Sequence, residues 1–165
     1  VLEDKNETKL KWKERIREEV NDLVWNLKCY KVDLKEEKED LIKYWVDISD
    51  YDLETAKSML KSKRYLYVGF MCHQVIEKIL KAYWCKCLDV PPLPVHRLIR
   101  LAEKTDLVKE FSEEQLTFID KLEPLNIEAR YPTYKEKIFE LLNKEYCRKL
   151  LSDTKDLQQW IKNRL

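Results

Sequence analysis

Glycine is almost absent from this chain: Gly69 is the only one in 165 residues. Glycines supply the positive φ angles that tight hairpin turns and phosphate-cradling loops require. A single glycine builds neither, so the sequence argues against a Walker-type loop, a dinucleotide site of the Rossmann kind and a β-rich fold. An all-helical fold is what remains.

The chain also lacks an excess of one charge and a long hydrophobic run. Its 32 basic and 31 acidic residues leave a net charge of +1, so no global field attracts nucleic acid and any RNA contact has to be local. No apolar segment approaches the roughly 20 residues that cross a bilayer. We therefore predict no membrane association.

Cysteines are few and odd in number, five in all, and no apolar signal segment opens the chain. This pattern predicts buried packing thiols in a reducing cytoplasm. Cys85 and Cys87, with Cys72 and His73 a few turns earlier, come nearest to a zinc motif, but Cys-x-Cys spacing on a helix points the two thiols apart. We predict no metal and no cofactor.

What the chain does have is helical periodicity, with apolar residues spaced three and four apart. The predicted helices cover about residues 6–29, 34 or 38 to 60, 65–88 and 95–104, a segment after the capping box at Ser112, and a segment from about Asn143. The sequence thus predicts an all-α fold, an antiparallel up-down bundle of four main helices with short connecting helices. We assign the bundle to residues 38–165 and an extra N-terminal helix to an extension, residues 1–37.

Asp52 occupies an unusual place in the second predicted helix. One face of that helix carries an apolar series: Leu41, Trp45, Ile48, Ala56, Met59 and Leu60. Asp52 lies four residues after Ile48 and four before Ala56, on the same predicted face. A carboxylate pointing toward a core has to be paired. We predict that Asp52 is buried and paired with a cation from the 65–88 helix or from the Arg130 loop.

Four polar residues form a stripe on the otherwise apolar 65–88 helix, at positions i, i+3, i+4 and i+7: Gln74, Glu77, Lys78 and Lys81. Glu77 and Lys81 have the favourable orientation of an i, i+4 ion pair, so the stripe could be an ordinary solvated face. Alternatively it forms a groove with Asp52 and Arg130 that grips phosphate, for which a guanidinium fork is well suited.

This stripe, together with Asp52-Leu53-Glu54-Thr55-Ala56 and Ala129-Arg130-Tyr131-Pro132, resembles the HEPN domain. That helical domain is found with nucleotidyltransferases and in many RNA-cleaving toxins. The resemblance runs from about Lys38 to Leu165. It implies a helical bundle, a homodimer and either a nucleotide-related or an RNA-related role.

The resemblance also tests the ribonuclease role. HEPN ribonucleases generally carry an Arg followed four to six residues later by a His. Here Arg130 stands in the corresponding loop, but both histidines of the chain, His73 and His96, lie upstream of it. Tyr134 stands where a partner could be, yet a phenol is a poor general base at neutral pH. We assign no catalytic residue, and we interpret His73 as a hydrogen-bonded interhelical residue and His96 as a packing or capping residue just inside a short helix.

Two functions follow from the sequence. The first is a dimeric binding module for a nucleotide or a nucleotidyltransferase-type partner protein. The alternative is a divergent ribonuclease toxin of a toxin–antitoxin or defence system. The candidate ligand-binding residues are Asp52, Gln74, Glu77, Lys78, Lys81, Arg130, Tyr131 and Tyr134.

Overall fold

The chain folds into a helical bundle, seen in a computed structural model that describes residues 35–127 and 141–165. The helices are α1 (35–61), α2 (Tyr65–Cys87), α3 (Leu98–Lys104), a 3-10 helix (Leu107–Glu110), α4 (Glu113–Ile127) and α5 (Lys144–Lys162). No strand occurs in the described ranges. The predicted all-α bundle is confirmed, with α1, α2, α4 and α5 as its four main helices. The predicted N-terminal helix and the Arg130 loop lie outside the described residues.

Helix α2 is the central element, packed against α3, α4 and α5. Its core side chains Val68, Cys72, Val75, Ile76 and Ile79 are all fully buried. The only glycine of the chain also lies on this helix. A Cβ atom at Gly69 would sit 3.3 Å from methyl groups of Leu125 and Leu142. The glycine therefore permits close packing and forms no turn.

Two of the predicted helix starts carry side-chain caps. The Ser112 hydroxyl accepts from the Gln115 amide nitrogen at 3.3 Å, and the Gln115 side chain accepts from the Ser112 amide at 2.9 Å, which is the predicted capping box. At α5, Asn143 Oδ1 accepts from the Tyr146 amide at 2.9 Å. These contacts satisfy amides that a helix start otherwise leaves unpaired.

Helix α3 begins at Leu98, later than the predicted residue 95. Arg97 is extended, with φ −77° and ψ 112°, and Glu123 Oε1 on α4 accepts from the Ile99 amide at 3.0 Å. A cap supplied by a distant helix leaves no local signal in the sequence. His96 consequently lies before the helix, which corrects its predicted position inside it.

The buried face of α1 is rotated from the predicted one. Leu41, placed on the core face by periodicity, is 47% exposed, whereas Ser49, Leu53 and Ala56 are buried. The Ser49 hydroxyl donates to the Val75 carbonyl at 2.8 Å and accepts from Gln158 on α5 at 2.8 Å. A serine with two interhelical partners is stable in the core, and the apolar pattern alone could not reveal it.

The thiol prediction holds for three of the four described cysteines. Cys72, Cys85 and Cys147 are buried free thiols, whereas Cys87 at the end of α2 is exposed. Among the described helices, none combines the length and the apolar character that a bilayer crossing requires.

Candidate functional site

The candidate site is organised around the carboxylate of Glu77, which is fully buried. Lys81 Nζ donates to Glu77 Oε1 at 2.7 Å, and Lys78 Nζ lies 3.5 Å from the same oxygen. His96 Nδ1 lies 3.1 Å from Oε2. Burial opposes ionisation of Glu77, but the hydrogen bond from Lys81 and the charges of Lys78 and Lys81 outweigh it and hold the pKa of Glu77 below its usual value. The carboxylate is therefore an ionised, paired anion in the interior.

This burial corrects the interpretation of the stripe as a solvated face. The Lys81 side chain is also buried, and its ammonium lies 5.2 Å from the centroid of the Trp45 ring on α1. The ring face and Glu77 together compensate the positive charge. Glu77 and Lys81 can therefore influence a ligand only through the groups they hold in place.

Gln74 and Lys78 occupy the more accessible side of the stripe. Lys78 Nζ donates to Gln74 Oε1 at 2.8 Å, and Gln74 Nε2 donates to Asn126 Oδ1 at 3.3 Å. Both side chains are half-buried. The network thus connects α2 with the end of α4 and orients Lys78 by a neutral amide.

Asp52 is half-buried, not fully buried as predicted. Leu53 and Ala56 occupy the buried face of α1, so Asp52 lies at the boundary between the buried and the exposed face. Burial raises the pKa of Asp52; the Lys78 charge acts against this rise and the Glu77 charge adds to it. Lys78 is thus the cation of the 65–88 helix whose charge acts on Asp52. Among the described residues Asp52 forms no ion pair, so the predicted pairing is not found there, and the Arg130 loop lies outside them.

His73 lies in the core one turn before Glu77, with no exposed surface. Neither ring nitrogen has a hydrogen-bond partner; Nδ1 is 3.9 Å from Glu77 Oε2. The predicted interhelical hydrogen bond is therefore wrong. Burial lowers the pKa of His73 to about 4, so its imidazole is neutral at physiological pH.

Comparison with known proteins identifies the family. The model of the family described as HEPN domain matches residues 42–164. The chain belongs to the HEPN domain family. The HEPN resemblance inferred from Asp52, the α2 stripe and Arg130 is thereby confirmed.

A solved structure shares this HEPN fold. The crystal structure of TT1696 from Thermus thermophilus superposes with a TM-score of 0.64 at 15% identity, covering 75% of this chain and 98% of that one. At this identity the likeness concerns the fold alone. A search of curated proteins gave no significant match.

The structure brings five predicted site residues of this HEPN chain to one region: Asp52, Gln74, Glu77, Lys78 and Lys81. The other three, Arg130, Tyr131 and Tyr134, lie outside the described residues. Sequence reasoning missed His96 and Asn126, because neither has a fixed spacing from α2. In the described ranges, no group of three or more His, Cys, Asp or Glu side chains is arranged to hold a metal ion.

Proposed function

We propose that this HEPN chain is a binding module for a nucleotide, with Lys78, Gln74 and Arg130 as the groups that contact its phosphate. The position of Lys78 carries the proposal. Lys81 is buried and bonded to Glu77 at 2.7 Å, whereas Lys78 lies 3.5 Å from that carboxylate and is bonded to a neutral amide. The Lys78 side chain is 17% exposed and that of Lys81 8%, so Lys78 is the lysine that an external anion reaches more easily.

A groove toward the turn between α1 and α2 provides room for the rest of the ligand. Its volume is about 530 Å³, and its lining comes from α1, α2 and the turn between them: Thr55, Met59, Ser62, Arg64, Tyr67 and Met71. Thr55 lies three residues after Asp52, and Met71 three before Gln74, so the groove continues the face that carries the polar residues. Such a volume is within the range of small-molecule sites. Tyr67, which is 56% exposed, offers a surface on which a base can stack.

The sequence favours binding over RNA cleavage by the family's Arg and His pair. No histidine follows Arg130 in the chain, and neutral, buried His73 is inaccessible as a general base. We therefore propose no ribonuclease activity by that route.

Calorimetric titration of the purified chain with AMP and ATP tests the proposal. Lys78→Ala and Arg130→Ala should each weaken binding by about 1.5–3 kcal/mol, or roughly tenfold or more. Lys149→Ala is the matched control, because Lys149 is an exposed lysine of α5 paired with Asp153. Its affinity should equal that of the wild type. Absence of nucleotide binding, or equal losses in all three variants, would contradict the proposal.

A protein partner is the second candidate ligand, either a nucleotidyltransferase-type protein or a second copy of the chain. Leu41, Tyr44 and Tyr51 are 47%, 55% and 74% exposed and lie at spacings of three and seven along α1, on one face of the helix. An exposed apolar series on one helix face is typical of a protein contact. Tyr51 lies four residues before Thr55 of the groove lining, so the two surfaces adjoin along α1.

A further inference from the structure

The exposed imidazole of His96 is attached to a fully buried carboxylate. The His96 side chain is 65% exposed, whereas Glu77 has no exposed surface, and the atoms Nδ1 and Oε2 are 3.1 Å apart. A surface histidine ordinarily rotates freely and satisfies its nitrogens with water. This one is fixed by an interior anion.

The attachment determines which ring nitrogen is free. An ionised carboxylate only accepts hydrogen bonds, so the proton of the pair lies on His96 Nδ1. In the neutral ring, Nε2 is then an acceptor with its lone pair available. The two lysines near Glu77 approach its other oxygen, Oε1, so they leave Oε2 to the imidazole.

His73 does not compete for that oxygen. Its Nδ1 is 3.9 Å from Oε2, beyond hydrogen-bonding distance. The main chain of His96 lies close to the His73 ring, but neither nitrogen of the His73 ring is in hydrogen-bonding geometry with any group. His73 is fully buried and His96 is 65% exposed, so His96 is the imidazole that reaches solvent.

One carboxylate therefore positions two side chains that have exposed surface. Glu77 has Lys78, a cation, near Oε1 and His96, whose free nitrogen is an acceptor, at Oε2. A ligand that matches both has an anionic group and a hydroxyl or amine donor. A nucleotide has both, as its phosphate and its ribose hydroxyls.

We infer that His96 Nε2 accepts a hydrogen bond from a ribose hydroxyl of the bound nucleotide. The inference rests on the proposed nucleotide function and adds sugar selectivity to it. Glu77 is the positioning residue, and His96 is the residue that contacts the ligand.

Calorimetric titration with AMP and 2′,3′-dideoxy-AMP tests the sugar contact. The wild-type chain should bind AMP about five to tenfold more tightly, the value of one net hydrogen bond. In His96→Asn, whose amide can still donate to Glu77 but which has no atom equivalent to Nε2, AMP binding should fall to the dideoxy level. Binding of 2′,3′-dideoxy-AMP should not change. His96→Gln, which places an oxygen or nitrogen near the Nε2 position, should recover part of the difference.

The outcomes separate this inference from the function on which it rests. Equal binding of AMP and 2′,3′-dideoxy-AMP by the wild type would overturn the sugar contact and leave nucleotide binding intact. Binding of neither would overturn both. A thermal melt of His96→Asn close to that of the wild type is expected, since the Glu77 contact is retained. A collapse of the fold in that variant would instead show that His96 acts in stability.

A ligand-free measurement tests the orientation of the ring. The chain has two histidines, so ¹⁵N spectra of the imidazoles contain two sets of signals, and His96→Asn assigns them. His96 should be protonated at Nδ1, and Glu77→Gln should remove this preference. An Nε2-protonated His96 in the wild type would overturn the inference.

Discussion

Lys78 and Lys81 are chemically identical side chains three residues apart on α2, but they differ in burial because they point in different directions from the helix. Both approach the same oxygen of Glu77, at 3.5 Å and 2.7 Å. Lys81 is enclosed by Glu77 and Trp45, so its contribution is to stability. Removing one partner of such a buried pair typically costs about 3–5 kcal/mol. The Lys78 side chain is 17% exposed, and it is the one that we propose to contact phosphate.

His73 makes the stability of the fold depend on pH. Its pKa is 6.5 as a free group and about 4 in the folded chain, where burial disfavours the charged form. Between these values the unfolded chain binds a proton that the folded chain does not. Lowering the pH from 7 to about 4 should therefore decrease the free energy of unfolding, by roughly 3 kcal/mol at most. Urea unfolding at a series of pH values measures this slope.

The control for this prediction is His73→Phe, which removes the titrating group and its two unpartnered nitrogens. Down to pH 5 the variant should show a shallower pH dependence than the wild type. Glu77, whose pKa is lowered from 4.5, adds to the loss of stability only near and below that value. An unchanged slope between pH 7 and 5 would exclude His73 as its source.

At the scale of elements, α2 is mostly apolar, and residues of other segments contact its few polar side chains. Asn126 of α4 and His96 before α3 contact its polar side chains, and Trp45 of α1 covers Lys81. The start of α3 is in turn capped by Glu123 of α4. The site is therefore a product of helix packing and depends on the correct register of each helix.

The N-terminus of α5 offers a direct test of local helix stabilisation. Asn143→Ala removes the acceptor for the Tyr146 amide, and it should lower the free energy of unfolding by about 1 kcal/mol. Asn143→Asp retains the acceptor and adds a charge that the helix dipole favours, so its stability should equal or exceed that of the wild type. Chemical denaturation of both variants gives the comparison. Equal destabilisation by Ala and Asp would show that the cap contact has no role.

At the scale of the whole molecule, we predict a homodimer formed through the exposed face of α1. Light scattering of the purified chain at micromolar concentration should give twice the mass of one chain. Tyr44→Glu combined with Tyr51→Glu should give the monomer, because both side chains are more than half exposed on that face. The control is Val90→Glu, at an exposed apolar residue after α2. A monomeric wild type, or dissociation in the control as well, would contradict the prediction.

The all-helical fold could be derived from the sequence because its causes are local. Apolar spacing, the caps at Ser112 and Asn143, and the near absence of glycine all act within a few residues of one another. The motif residues around Asp52 and on α2 also indicated the family that the family model confirms. These features need no knowledge of which helices meet.

The candidate site was only partly derivable, because burial depends on contacts distant in sequence. The sequence placed Gln74, Glu77, Lys78 and Lys81 on one stripe, but a stripe does not reveal which member faces the interior. In the structure Glu77 is a buried anion and Asp52 is only half-buried. His96, 19 residues away in sequence, contacts Glu77. Electrostatic pairing in a core is decided by the packing of separate helices, and tertiary structure alone brings those partners within hydrogen-bonding distance.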